Sequence, residues 1–106
     1  MAMHNPPHPG EFIREVYLEP LELSPRSLAL RLGIAPSTFA RLIKGKSAVS
    51  PEMALRLSKC LGRSPESWLL MQDSYDLWQA RSRVNLSGIS PLTASARALS
   101  AEGRPT

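Results

Sequence analysis

From Phe12 to Trp78 the apolar residues recur at spacings of three and four. Phe12, Ile13, Val16 and Tyr17 fall on one face of a first helix. Leu28, Ala29 and Leu32 do so in a second, and Phe39, Leu42 and Ile43 in a third. Ala54, Leu57 and Leu61 mark a fourth, with Met53 and Leu55 broadening its stripe. Trp68, Met71, Tyr75 and Trp78 mark a fifth. This spacing is the signature of helices with one buried face. No strand-type alternation reaches comparable length, so the pattern predicts an all-α fold, five short helices around one core.

Helix ends are written in the chain as well. Ser24-Pro25, Ser50-Pro51 and Ser64-Pro65 each precede an apolar stretch. A serine hydroxyl accepts an orphan backbone N–H at a helix start, and proline at the next position gives up an N–H that had no partner. Glu52 and Glu66 then sit where a carboxylate favours the positive end of the helix dipole. Pro36 opens a helix in the same manner, with Ala35 as a poorer cap. Gly33, Gly45 and Gly62 follow the last apolar turns and are placed to take a left-handed cap. Together these signals predict helices near residues 9–18, 25–32, 36–44, 51–61 and 65–81.

Outside that block the character changes. Residues 1–8 are a polar, proline-rich leader, in which His4 and His8 are expected to be exposed. Residues 9–81 form the domain, and residues 82–106 a tail without aromatics. In the tail, Val84 and Leu86 alternate with polar residues as a short strand-like edge. Ser90-Pro91 opens a further candidate helix with Leu92, Ala96 and Leu99 on one side. With few large apolar groups, the tail is expected to be mobile or ordered by a partner.

Composition narrows the functional classes. A chain of 106 residues has room for one modest domain. No apolar run exceeds Trp68–Met71, which excludes a spanning helix, and the N-terminus lacks the apolar region of a secretory signal. A single cysteine, Cys60, rules out an intrachain disulfide and fits a reducing cytoplasm. Two histidines and one cysteine cannot build a self-contained zinc site, and no cofactor is implied. Neither a nucleophile elbow nor a phosphate-cradling loop occurs, so the chain does not read as an enzyme.

Charge is unevenly distributed. Residues 24–63 carry eight cations against Glu52 alone, net +7. Residues 1–23 and 64–80 are each net −3. A basic centre between acidic flanks points to a polyanion-facing surface on an otherwise neutral domain.

The second and third helices, joined by Gly33-Ile34-Ala35, make a helix-turn-helix. Small Ala29 allows the helices to cross closely, Gly33 supplies the turn, and Ile34 and Phe39 fill the space between. Ser37, Thr38, Arg41 and Lys44 share the other side of the third helix, with nothing apolar among them. Residues 24–46 include five cations and no anion. Short hydroxyls and an arginine suit base edges in a major groove, arginine best against guanine. Lys44 and Lys46 beyond the helix, and Ser24 and Arg26 at the start of the second, suit phosphates. The competing account is a helical hairpin with a solvated polar face.

From His8 to Arg81, about seven tenths of its length, the chain resembles HigA-type antitoxins of the XRE, phage-repressor-like, helix-turn-helix class. The resemblance rests on His8-Pro9-Gly10-Glu11, on Leu18-Glu19-Pro20-Leu21, and on the helix-turn-helix with Gly45-Lys46 after it. It rests further on residues 51–57, on Ser64-Pro65-Glu66-Ser67-Trp68-Leu69, and on Tyr75-Asp76-Leu77. The resemblance implies a homodimeric cytoplasmic repressor that binds a palindromic operator of its own operon. It also implies a toxin partner, a HigB of RelE type that cleaves mRNA on the ribosome. Carried over by position, Thr38 and Arg41 fall at base contacts, and Ser24, Ser37, Lys46 and Ser47 at phosphate contacts. Ala35 falls at a base-contacting position that is polar in some relatives, leaving at most a methyl contact. Two alternatives stay open: a repressor of this class without a toxin, and a protein-binding inhibitor that no longer reads DNA.

Four further features carry expectations. Cys60, beside Leu61, is expected to be buried or half-buried as a small hydrophobe. Glu11, Glu15, Glu19 and Glu22 form either a solvated face or an acidic strip for a basic partner. Trp68, Tyr75 and Trp78 belong mainly to the core. Trp78, with Tyr75 on the same face, is also a candidate dimer contact near the thin end of the domain.

Overall fold

The computed structural model describes residues 5–92. Its elements are α1 (Pro9–Ile13), a π-helical turn continuing it (Arg14–Leu18), α2 (Pro25–Leu32), α3 (Pro36–Ile43), α4 (Pro51–Leu61) and α5 (Pro65–Arg83). α2 packs on α3 and α4 on α5, while α1 wedges against both α3 and α5. Among the described residues there is no strand, and no helix is long and apolar enough to cross a membrane.

The helix starts follow the local chemistry. Ser24, Ser50 and Ser64 each accept the N–H three residues on, from Ser27, Met53 and Ser67, at 3.0, 3.1 and 3.0 Å. Ala35 offers no side-chain bond to α3. Gly33 ends α2 at φ 74°, ψ 30°, a left-handed position that a side chain resists. Gly62 departs from the expected left-handed cap. Its ψ is −165°, a region open essentially to glycine alone, and Arg63 takes the left-handed position instead at φ 65°. The last helix also runs past the expected end, to Arg83.

The core is Ile13, Leu18, Leu28, Ala29, Leu32, Phe39, Leu42, Ile43, Val49, Ala54, Leu57 and Trp68. Trp68 is fully buried and donates its indole N–H to the Gly62 carbonyl at 3.1 Å. The first helix corrects one expectation. Val16 is 44% exposed, and Leu18 is buried in its stead. The Glu19 N–H bonds the Arg14 carbonyl at 2.9 Å, and Leu23 bonds Leu18 at 2.8 Å, both five residues apart. This wider turn shifts the helix register, so Leu18 rather than Val16 joins Ile13 in the buried core. Leu55 is likewise exposed, on the outer side of α4.

Three more expectations are overturned. His8 is buried, 6% exposed, so the leader is not solvated up to its last residue. Cys60 is exposed, on the outward side of the last turn of α4. Val84 and Leu86 form no strand edge: both are exposed, and the chain there closes a turn with the Ile89 N–H on the Leu86 carbonyl at 3.0 Å. His4 and nearly all of the candidate helix after Ser90-Pro91 lie outside the described residues.

Candidate nucleic-acid interface

α3 has two unlike faces. Phe39, Leu42 and Ile43 are buried in the core. Ala35, Ser37, Thr38, Arg41 and Lys44 are exposed, on the helix or at its two ends. A helix of eight residues reading this cleanly on two sides has its orientation fixed by burial, which leaves the polar side facing solvent. Ser24 and Arg26 are exposed at the start of α2, and Lys46 is exposed and Ser47 half-buried just after α3. All the candidate residues are therefore accessible and borne by α3, its two flanking connections and the first turn of α2.

The electrostatics of this surface are simple. Among the described residues, Arg26, Arg41, Lys44 and Lys46 pair with no carboxylate. Arg41 leans toward the loop, its guanidinium 3.5 Å from the Lys46 carbonyl. The Ser24 hydroxyl accepts the Ser27 N–H and keeps its own proton to donate outward. The glutamates lie elsewhere: Glu15 and Glu19 contact Arg14 at 3.7 and 3.6 Å, and both are exposed.

The loop between α3 and α4 is held from beneath by two residues that sequence reasoning did not single out for this. Gln72 of α5 accepts the buried Val49 N–H at 2.9 Å and donates to Asp76 at 3.0 Å. His8 caps α1, its Nδ1 accepting the Gly10 N–H at 2.9 Å, and its ring meets Tyr75 edge-on at 5.0 Å. The same ring underlies Gly45, Lys46 and Ser47. Burial pushes the His8 imidazole below its ordinary value of 6.5, against the opposing pull of the Ser47 backbone, Asp76 and Glu11. Gly10 completes the seat of α3: a side chain there would meet the Leu42 carbonyl and the Ile43 backbone. The signal for His8 was present in His8-Pro9, a cap followed by proline, but its solvent-ready residue type concealed it.

The candidate dimer residues Tyr75 and Trp78 are both half-buried on α5. Tyr75 spends one face on His8. Leu70 and Leu77, seven residues apart on the outer side of the same helix, are 66% and 51% exposed.

The helix-turn-helix family model matches residues 13–68. An HTH-type transcriptional regulator of Escherichia coli, YddM, is 45% identical over 87 residues, covering 82% of this chain and 92% of its own. Antitoxin HigA-1 of Vibrio cholerae is 36% identical over 74 residues, 70% of each chain. Among solved structures, antitoxin GraA in complex with its operator superposes with a TM-score of 0.78 at 36% identity, covering 89% of this chain and 97% of that one.

Proposed function

Because the chain belongs to the XRE class of the helix-turn-helix family, in its HigA-type antitoxin branch, we propose that it is the antitoxin of a type II toxin–antitoxin pair. In this reading it works in the cytoplasm as a homodimer. It binds a palindromic operator, represses its own operon and neutralises a RelE-like, mRNA-cleaving HigB toxin. It is a binding protein and not an enzyme. The observation that carries the DNA-reading half is the outer face of α3, exposed, cationic and, among the described residues, without a paired carboxylate.

Thr38 and Arg41 read base edges, Arg41 through the O6/N7 edge of guanine. Ala35 contributes a methyl contact. Ser24, Arg26, Ser37, Lys44, Lys46 and Ser47 hold phosphates, helped at Ser24 by the N-terminus of α2. Trp78, with Tyr75 beside it, supplies the dimer contact, and the exposed line of Leu70 and Leu77 extends its apolar surface. Two-fold symmetry then presents two copies of α3 about one DNA turn apart, ~34 Å.

Two experiments test the two halves. The first titrates a duplex from immediately upstream of the chain's own reading frame against a shuffled duplex of equal composition. Arg41→Ala is expected to cost about 1–3 kcal/mol on the upstream duplex and to narrow the gap between the two. An undiminished preference removes α3 as the reading helix. The second expresses the neighbouring small reading frame alone and with this chain. Growth arrest alone and relief together support the toxin partner. Arrest that this chain does not relieve leaves a repressor without one.

A further inference from the structure

We propose that Arg56 is a positioning residue for operator reading. Its guanidinium, anchored by Glu52, pins the turn between α2 and α3 and so sets the orientation of the reading helix. The inference rests on the DNA-reading function proposed above.

The end of α2 leaves carbonyls to be satisfied. The Gly33 and Ile34 N–H groups take the inner ones, on Leu30 and Ala29, at 3.2 and 3.1 Å. Arg56, from the middle of α4, takes the outer ones: Nη1 donates to the Leu32 carbonyl at 2.8 Å and to the Gly33 carbonyl at 3.3 Å. The opposite edge of the same guanidinium is fixed. Nε and Nη2 both donate to Glu52 Oε2, at 3.2 and 2.9 Å. A planar fork held on one edge has its other edge aimed. The cation also meets the negative end of the α2 dipole. A side chain at position 33 would come within 3.0 Å of Nη1, so the glycine leaves room for the clamp as well as for the backbone.

The clamp spans the junction between α2 and α4. α2 packs mainly on α3, and α4 mainly on α5. Arg56 makes the side-chain hydrogen bonds that join α4 to this turn, and a rotation there would move Thr38 and Arg41 relative to the α3–α4 loop, which Gln72 holds to α5. With Glu52 and two carbonyls around it, the partly exposed Arg56 has its donors engaged by protein groups and not by a phosphate.

The test uses the full-length chain, the upstream and shuffled duplexes, and several salt concentrations. Arg56→Gln is expected to lose operator affinity about tenfold, the size of one well-aligned base contact. Its affinity for the shuffled duplex and its salt slope should hold. Glu52→Gln keeps the cation and removes its anchor, and should show a smaller loss of the same kind. Arg56→Lys keeps one point charge that cannot hold Glu52 and the turn together, and should match Glu52→Gln. If Arg56→Gln fails to fold, these two variants decide. Equal losses on both duplexes, with the slope lower by about one, make Arg56 a phosphate contact and overturn the proposal. So does undiminished discrimination in the variants when the wild-type chain discriminates. A wild-type chain that treats both duplexes alike overturns the operator-reading function itself, and this inference with it.

Discussion

The two connections that flank α3 open alike and are fastened differently. The α2–α3 turn closes on itself, through Gly33 at φ 74° and the Ile34 N–H on the Ala29 carbonyl. Arg56 then fastens it from a partly exposed position. The α3–α4 loop opens with the same closure, Gly45 at φ 75° and the Lys46 N–H on the Arg41 carbonyl at 2.8 Å, but beyond it rests on buried His8 and on buried Gln72, brought from α1 and α5. Both ends of the reading helix close by local backbone chemistry, and one is then fastened by a single partly exposed side chain, the other by two buried ones. The loop should therefore respond to substitutions of its buried supports, and the turn to changes around Gly33 and Arg56.

The largest effect is expected at the loop. Gln72→Leu removes the acceptor of the buried Val49 N–H and should cost about 1–3 kcal/mol in a urea titration. An unchanged midpoint would show that the loop is held otherwise. At the turn, Gly33→Ala forces a side chain into the left-handed region and toward Arg56, for about 1–2 kcal/mol. The same substitution placed on Arg56→Gln should cost less, and strict additivity would argue against the contact.

Smaller effects separate loop position from loop charge. Lys46→Ala should weaken upstream and shuffled duplexes alike, by a few-fold, and flatten the salt slope by about one. A loss confined to the upstream duplex would place Lys46 on a base. The smallest effect is a pH dependence. His8 titrates below its ordinary value when folded, so the unfolded chain binds the extra proton more readily. Its contribution is complete above pH 6.5 and fades as pH falls through the lower folded value. His8→Asn keeps a capping acceptor without a titrating ring and should flatten that part of the stability profile. A profile identical to wild type would mean that other groups account for it.

Much of the helix plan was legible because its signals are local. A serine hydroxyl reaches an N–H three residues on, and a proline constrains its own φ, whatever lies elsewhere in the chain. The outer face of α3 could be read for the same reason: the three-and-four spacing that buries Phe39 and Leu42 turns Thr38 and Arg41 outward. Even the first helix was placed correctly in extent. Its π-helical turn was not legible, since the apolar spacing of Val16 fits an ordinary helix and only packing into the core selects Leu18.

The sequence by itself thus determined where helices start and stop, which side of α3 is polar, and where the cations gather. Tertiary structure alone decided what holds that side in place. His8 has the residue type of a solvated leader and becomes a buried cap because Tyr75 of α5 closes over it. Gln72 lies 23 residues from Val49, and Arg56 lies 24 from Leu32. Helix periodicity and capping couple residues within about one turn, and nothing in them links positions so far apart. Those polar partners are selected only once the core has folded and brought them beside particular backbone groups.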